Sequence, residues 1–293
     1  MKDIVLQSEA MKNALSLSEL SRKEAKEYPT LYHCTNAEAF INIIKNREFW
    51  LSNLKRVNDS IEYEMIDYEK LHTAYYVACF SSKNDISIDH WRKYGNMDNG
   101  ILFSINQLDF TKSAVFLTEH NQRMDDFFWE IISDRESALK YKIQEQQNQH
   151  ITYPFYIEDY GFYKVLYDDD LSPKIKGKGR IVTNSATILG TTIVPSVAGI
   201  VKKTKGIDNK TGLAADWKDE SEIRLKLCIV QMKPDNDGIY KNDSFCPKVA
   251  VSLTDNAFSD FEIRFSPNFS DERKRCFLEE LKKINPDSTI KVL

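Results

Sequence analysis

Cysteine and glycine are scarce in this 293-residue sequence. The five cysteines are widely spaced and form no Cys-x-x-Cys pair. An odd number of scattered cysteines favours neither a disulfide framework nor a zinc site, so we expect reduced thiols and no metal. The two commonest phosphate-binding loops, Gly-x-Gly-x-x-Gly and Gly-x-x-x-x-Gly-Lys-Ser/Thr, are both missing. A nucleotide bound by this chain must therefore be held in another way.

Long apolar runs are also missing. No stretch approaches 18 uncharged apolar residues, and the first twenty residues carry acidic and polar side chains where a signal peptide needs an apolar run. We therefore expect a cytoplasmic protein without a membrane partner. The formal net charge is −4, so the surface as a whole does not attract phosphate backbones, and any contact with nucleic acid must be local.

The residues that are abundant indicate a globular protein rich in β-structure. Apolar residues make up 42 % and charged residues 29 % of the chain, close to the averages for soluble globular proteins. Many of the 16 Phe and 14 Tyr fall in short runs typical of strands. Strands and helices are mixed without a regular β-α-β alternation, which predicts an α+β fold and not a doubly wound parallel sheet.

The predicted domain organisation is simple. Residues 1–30 form an N-terminal helical extension, and residues 31–293 form a single domain with a helical insertion at about 116–150. Apolar runs and alternation predict strands at 31–34, 49–54, 75–80, 100–105, 153–167, 224–230, 248–253, 261–265 and 289–293. Helical periodicity and capping signals predict further helices at 37–46, around 90–95 with Gly95 as its cap, at 184–205 and at 271–284.

Two acidic residues stand out in the predicted strand that contains Arg224. Alternation along a strand places Glu220, Glu222 and Arg224 on one face, with the carboxylates roughly 7 Å apart. Such a pair suits chemistry at a sugar C1, where one carboxylate stabilises positive charge and the other serves the acceptor. An exposed strand face with cross-strand ion pairs explains the same pattern equally well.

His33 and Thr35 lie two residues apart on the first strand, so both side chains point to the same side. An imidazole and a hydroxyl can bind the hydroxyl groups of a ribose. The alternatives are a core histidine and a capping box formed by Thr35 with Glu38. Ser81 begins a loop and Trp91 and Tyr94 offer aromatic faces, although a helix cap and a core aromatic explain them too.

Basic residues are concentrated in two segments. One is Lys174 to Arg180, with the sequence KIKGKGR, and the other contains Lys202, Lys203 and Lys205. Both segments are suited to contacts with phosphate groups. Runs of this kind are also typical of a solvated surface.

Five short motifs, taken in order, resemble a family of bacterial proteins, the domain-of-unknown-function family numbered 2971. The motifs are Tyr32-His33-Cys34-Thr35, Asn58-Asp59 with Glu62, Phe80-Ser81, Trp91-x-x-Tyr94-Gly95, and Trp217 with Glu220, Glu222 and Arg224. The resemblance covers about residues 31–293. That family in turn resembles the ADP-ribosyltransferase superfamily.

The second resemblance implies a fold and a reaction. It implies an α+β core of two small, mostly antiparallel sheets that form a split cleft, with helical insertions, and NAD as the substrate in the cleft. It makes Glu222 catalytic, with Glu220 assisting the acceptor. Because no tyrosine stands at the end of a middle strand, it assigns stacking to Trp91 or Tyr94. The residues that it assigns to NAD binding are Tyr32, His33, Thr35, Ser81, Trp91, Tyr94 and Arg224.

The resemblance also implies a class of function. The implied activity is mono-ADP-ribosylation of a protein, RNA or DNA acceptor. The implied biological role is that of a toxin or phage-defence effector, and the implied partner is an antitoxin or regulatory protein. Two alternatives stay open. One is an NAD glycohydrolase that uses water as the acceptor. The other is a non-catalytic nucleotide-binding or interaction module, in which Glu222 serves only as an ion-pair partner of Arg224.

Overall fold

The computed structural model describes residues 13, 16–57, 75–117, 123–128, 155–167, 169, 199–207, 214–231 and 248–293. The helices are α1 (16–25), α2 (Ala37–Asn46), α3 (Ile88–His90, continued as a π-helical turn over Trp91–Gly95) and α4 (Asp271–Ile284). The strands are β1 (Thr30–Asn36), β2 (Glu48–Asn53), β3 (Tyr75–Ser81), β4 (Gly100–Asn106), β5 (Phe110–Leu117), β6 (Arg123–Phe128), β7 (Phe155–Lys164), β8 (Leu166–Tyr167), β9 (Val201–Lys202), β10 (Lys205–Ile207), β11 (Ala214–Asp216), β12 (Glu222–Gln231), β13 (Lys248–Leu253), β14 (Asp260–Phe265) and β15 (Thr289–Val292).

The described strands confirm a mixed α+β fold with a mostly antiparallel sheet. Eleven of them form one sheet, in the order β15-β14-β4-β1-β3-β2-β13-β5-β6, with β12 and β7 added beside β3. Within this sheet only β14 and β15 run parallel among the described pairs. Two small two-stranded sheets, β10 with β11 and β8 with β9, lie outside it.

The large sheet divides at β3. One edge of β3 pairs with β12 along its whole length. The other edge pairs with β1 only at Ser81, opposite Tyr32, and with β2 only at Tyr76 and Val77. On its other edge β1 pairs with β4, and β2 likewise pairs with β13. The resemblance implies two separate small sheets, whereas eleven of the described strands form one connected sheet with two arms that meet on β3.

The hydrophobic core lies on one face of this sheet. Because successive side chains of a strand point to opposite faces, Ala78 and Phe80 of β3 lie on the same side as Ile223 and Leu225 of β12, and all four are buried in the core. Helices α2 and α4 cover this face, with Phe40 of α2 and Phe277 of α4 in ring contact. One continuous apolar cluster therefore includes residues of α1, α2 and α4.

Helix α1 packs on β7 and is more than an extension. The Ser21 hydroxyl donates to the Lys164 carbonyl (2.7 Å), and the Arg22 Nε donates to the Tyr163 hydroxyl (2.6 Å). Ala25 is completely buried in the main core. The predicted helix is thus confirmed over 16–25, and its inner face belongs to the folded core.

Several predicted boundaries need correction. Helix α2 is capped by Asn36, whose side chain accepts from the Ala39 amide (2.8 Å), so Thr35 is not the cap. After α3 it is Asn96, and not Gly95, that has a positive φ (71°). These shifts of one residue occur because β1 and α3 continue further than local patterns indicate.

Two predicted helices are strands where the structure describes them. The helix at 116–150 is wrong over Arg123–Phe128, which forms a hairpin with β5 and pairs Phe127 with Ala114. The helix at 184–205 is wrong from residue 201 onward, because Val201–Lys202 pairs with β8. In both places a partner strand overrides the local pattern. Residues 129–150 and 184–198, the Asn58-Asp59-Glu62 motif and the 174–180 basic segment lie outside the described residues.

The described cysteines, Cys34, Cys79, Cys228 and Cys276, are all free. Within the same part of the chain, no helix has the length and apolar character needed to cross a membrane.

Candidate functional site

A cavity of about 300 Å³ opens beside β3, where the two arms of the sheet separate. This volume is at the lower end of the roughly 300–1,000 Å³ of small-molecule sites, so the cavity fits part of a dinucleotide. Parts of β1, β2, β3, α3 and β12 form its wall. It brings together seven of the nine predicted site residues, namely Tyr32, His33, Ser81, Tyr94, Glu220, Glu222 and Arg224.

His33 occupies the gap between the two arms. Its Nδ1 donates to the Cys79 carbonyl (2.8 Å), on the stretch of the β3 edge that neither β1 nor β2 pairs with. The imidazole thus replaces a missing hydrogen bond of the sheet. Burial lowers the pKa of His33 to about 4, so the ring is neutral and its Nε2 is an acceptor. His33 is therefore both a structural histidine and part of the cavity wall.

Glu222 and Arg224 of β12 lie on the face of the sheet opposite the core, but they are not exposed to solvent. The exposed fractions are 4 % for Glu222 and 2 % for Arg224. The segment before β9 covers them, and the Gly199 carbonyl accepts a hydrogen bond from the Arg224 Nη1 (3.2 Å). The interpretation of this strand face as a solvated surface is wrong, because a further layer of chain covers it.

Arg224 holds Glu222 with two hydrogen bonds. Its Nε donates to Oε1 (2.7 Å) and its Nη2 donates to Oε2 (3.1 Å), and the Lys202 Nζ lies 3.3 Å from the same Oε2. Burial opposes ionisation, but Arg224 and Lys202 together keep the pKa of Glu222 below its ordinary value. Glu222 is therefore an ionised carboxylate held in a fixed orientation.

Glu220 reaches the same cavity by a different route from the predicted one. It ends a single helical turn, Lys218–Glu220, and Ser221 follows in a left-handed conformation (φ 46°), so Glu220 is not on the strand. Its carboxylate accepts from the Tyr94 hydroxyl (3.0 Å) and lies 3.4 Å from the Lys202 Nζ. Burial raises the pKa of Glu220. Two carboxylates of unequal acidity thus share one lysine.

Trp217 supports this arrangement. Its ring is completely buried, with the Lys202 Nζ 4.1 Å and the Lys93 Nζ 4.7 Å from the ring centroid. Lys93 also lies 3.7 Å from Glu220. The indole therefore contacts both lysines that pair with the carboxylates of Glu220 and Glu222. Lys202 itself is only 3 % exposed, so it belongs to the buried network and not to a solvated basic surface.

Thr35 and Trp91 lie apart from the cavity wall. Trp91 is 3 % exposed and packs against Cys34 and Leu102. Gly95 and Gly100 press on its ring so closely that an added Cβ would lie 2.7 Å and 2.9 Å from Cε3. Trp91 therefore has no free face for a ligand in this structure, and the assignment of a stacking role to it does not fit. Tyr94, one turn further, is the aromatic residue of this motif on the wall.

The cavity wall includes several residues that the sequence did not single out. The His90 ring lies 4.7 Å from the Tyr94 ring between centroids, at a tilt of 58°. Burial lowers the pKa of His90 to about 4, although the negative charge of Glu222 acts in the opposite direction. The Cys79 thiol donates to Glu222. The four-residue spacing of His90 and Tyr94 after the Ser87 cap was a usable signal for one face of a helix. Other wall residues that the sequence did not single out include Trp50, Ser52, Arg56 and Lys93, and Lys202 comes from one of the two basic segments.

Comparison with known proteins returns no match, neither to a family model nor to a curated protein nor to a solved structure. Over the described residues, no group of three or more His, Cys, Asp or Glu side chains is arranged to hold a metal ion. The chemistry of the cavity wall is therefore the basis on which a function can be assigned.

Proposed function

We propose that this protein is an NAD-dependent mono-ADP-ribosyltransferase that modifies a macromolecular acceptor. The observation that supports this proposal is the position of His33 and the ionised, buried Glu222 on the wall of one cavity. In the reaction, the bond between the ribose C1 and the nicotinamide nitrogen breaks and its electron pair neutralises the nicotinamide ring. The acceptor atom then forms a bond to C1, and its proton leaves to a base.

The residues of the wall have distinct roles in this proposal. Glu222 stabilises the positive charge that develops at C1, an effect that is strong where water is excluded. The neutral His33 offers its Nε2 to a ribose hydroxyl. Glu220, whose pKa is raised by burial, is suited to take the proton of the acceptor, with Tyr94 holding its carboxylate in place.

The charge of the wall favours a substrate that carries phosphate. Four cationic residues, Arg56, Lys93, Lys202 and Arg224, line the cavity beside two acidic residues, Glu220 and Glu222. The local excess of positive charge contrasts with the net charge of −4 of the chain. The diphosphate of NAD complements this excess.

One observation favours a second candidate, a non-catalytic nucleotide-binding module. Both carboxylate oxygens of Glu222 are already engaged by Arg224, and Lys202 adds a third contact. In that case the main role of Glu222 is to keep Arg224 and Lys202 in place for binding an anion. NAD then binds without being cleaved.

The decisive experiment follows the fate of NAD labelled in the nicotinamide and, separately, in the adenylate part. The purified protein is incubated with each label and cell extract, beside Glu222→Gln and the exposed control Glu279→Gln. We expect nicotinamide release by the parent protein and the control, and a loss of roughly 100-fold or more in Glu222→Gln. Circular dichroism and NAD binding show whether that variant is folded.

Each other result excludes a candidate. Release of nicotinamide without labelled macromolecule identifies a glycohydrolase. Binding of NAD without nicotinamide release identifies the non-catalytic module. If NAD does not bind to the parent protein at all, the proposal is wrong. Digestion of labelled product with protease or nuclease identifies the class of acceptor.

A further inference from the structure

The outer edge of the cavity is formed by the end of β2 and the turn after it. Three residues on the cavity wall come from this part, Trp50, Ser52 and Arg56, and we call them the β2 rim. All three are exposed. Because Phe49 and Leu51 point into the core, Trp50 and Ser52 point outward, to the same side of β2.

Trp50 is much more exposed than the two residues beside it in β2. It is 37 % exposed, whereas Phe49 and Leu51 are 2 % and 3 % exposed and provide the core contacts of the strand. A tryptophan at the mouth of a cavity presents a large, rigid aromatic face at a low entropic cost. The position of Trp50 is thus suited to a flat aromatic ligand.

The cations near Trp50 complement a phosphate group. Arg56 lies on the same rim, and Lys93 lies further along the wall with a side chain that is 19 % exposed. An aromatic face next to an arginine is the combination that binds the base and the phosphate of a nucleotide in single-stranded nucleic acids. An acidic peptide satisfies the arginine but leaves the indole face without a partner.

We propose that the β2 rim binds one nucleotide of a single-stranded nucleic acid, which is the acceptor of the transferase activity. The base stacks on Trp50 and the phosphate pairs with Arg56. A base within a duplex is already paired and stacked on its neighbours, so only an unpaired nucleotide can present its face to Trp50. The role of this nucleic acid as the acceptor rests on the function proposed above, whereas its binding to the rim does not require NAD.

The test measures binding of labelled single-stranded oligonucleotides of roughly 10 nucleotides by fluorescence anisotropy, without NAD. The variants are Trp50→Ala and Arg56→Ala. Their matched controls are Leu108→Ala, an exposed apolar residue (84 %) outside the cavity wall, and Arg92→Ala, an exposed cation that pairs with Asp89. Circular dichroism confirms that all four variants are folded.

We expect Trp50→Ala to weaken binding about 10-fold or more, as is typical for the loss of one stacked base. Arg56→Ala should weaken binding and reduce the slope of log affinity against log salt by about 0.7, the contribution of one phosphate contact on a single strand. Both controls should bind like the parent protein. A duplex of the same sequence should bind more weakly than the single strand.

The proposal is overturned if no oligonucleotide binds, or if the rim variants bind as tightly as the controls. It is also overturned if the label from NAD in cell extract is found only on protein. Because the binding assay contains no NAD, a negative result there leaves nicotinamide release as an independent test of the proposed enzyme activity.

Discussion

At the scale of single residues, the buried pair of Glu222 and Arg224 affects how any substitution in the cavity is interpreted. Removal of one partner leaves an uncompensated buried charge, which typically costs about 3–5 kcal/mol of folding free energy. We therefore expect Glu222→Leu and Arg224→Met each to lower stability by about this amount, as measured by urea denaturation. The double variant should lose much less than the sum of the two.

This double-mutant cycle also separates stability from function. If each single substitution costs less than about 1 kcal/mol of folding free energy, the pair contributes little to the stability of the fold. Its fixed geometry then serves the binding of the ligand. Glu222→Gln keeps the shape of the side chain and removes only the charge, so it is the better variant for activity assays.

Two partly buried histidines, His33 and His90, make stability depend on pH. In the folded protein His33 and His90 have pKa values of about 4, below the ordinary value of 6.5. Between these values the unfolded chain binds protons that the folded chain does not, so acidification favours unfolding. Stability is fully present above about pH 6.5 and is lost as the pH falls toward 4, by up to about 1.4 kcal/mol per pH unit for each histidine.

Urea denaturation at several pH values between 7.5 and 4.5 checks this dependence. Asparagine does not titrate in this range, so His33→Asn, which keeps a donor for the Cys79 carbonyl, and His90→Asn should each reduce the slope. An unchanged slope in both variants would contradict the assignment. Glu222, whose pKa is lowered by its cations, adds a further loss of stability below its ordinary pKa of 4.5.

At the scale of elements, the end of α3 and the residue after it pack closely against the start of β4 at Gly100. A Cβ added to Gly100 would lie 2.5 Å from the Asn96 carbonyl oxygen and 2.9 Å from that of Gly95, and backbone cannot move away easily. We expect Gly100→Ala to cost about 1–3 kcal/mol, as overpacking does. Asn96→Gly, in the same turn, is the control: the positive φ favours glycine, but the Asn96 Oδ1 loses the hydrogen bond that it accepts from the Asp98 amide (3.0 Å), so the net change should be small.

Elements with a strong local pattern could be predicted from the sequence. The continuous apolar run of β3, and the periodicity of α2 with Phe40, Ile41 and Ile44 on one face, match the structure. The segments β6 and β9 could not be predicted, because their strand character depends on pairing with β5 and β8. Local patterns carry little information about such distant partners.

The same division holds for the candidate site. His33, Ser81, Tyr94 and Glu222 stand in short motifs, and all four line the cavity. Lys202 is one of several lysines in its segment, and nothing nearby in sequence shows that it is the one buried between two acids. Strand alternation predicts that Glu220 lies beside Glu222. Its carboxylate does reach the same cavity, but a helical turn, and not strand alternation, brings it there.

At the scale of the whole molecule, one apolar core joins the described elements. It includes Ala25 of α1, Leu225 of β12 and Leu281 of α4. If residues 31–293 are one domain, as the sequence predicts, α1 and this domain should unfold together. We expect a single urea transition, with the same midpoint by far-ultraviolet circular dichroism and by tryptophan fluorescence. Two separate midpoints would show that the chain contains independent units.

The division of the sheet at β3 has a consequence for the order of folding. The cavity wall joins β1, near the start of the chain, to β12, far along it, and among the described strand pairs β3 is the strand that connects the two. Contacts between such distant segments require large loops to close, so they form late. Substitutions on the wall should therefore accelerate unfolding and leave the rate of refolding nearly unchanged. The site would then be the last part of the molecule to assemble and the first to be lost.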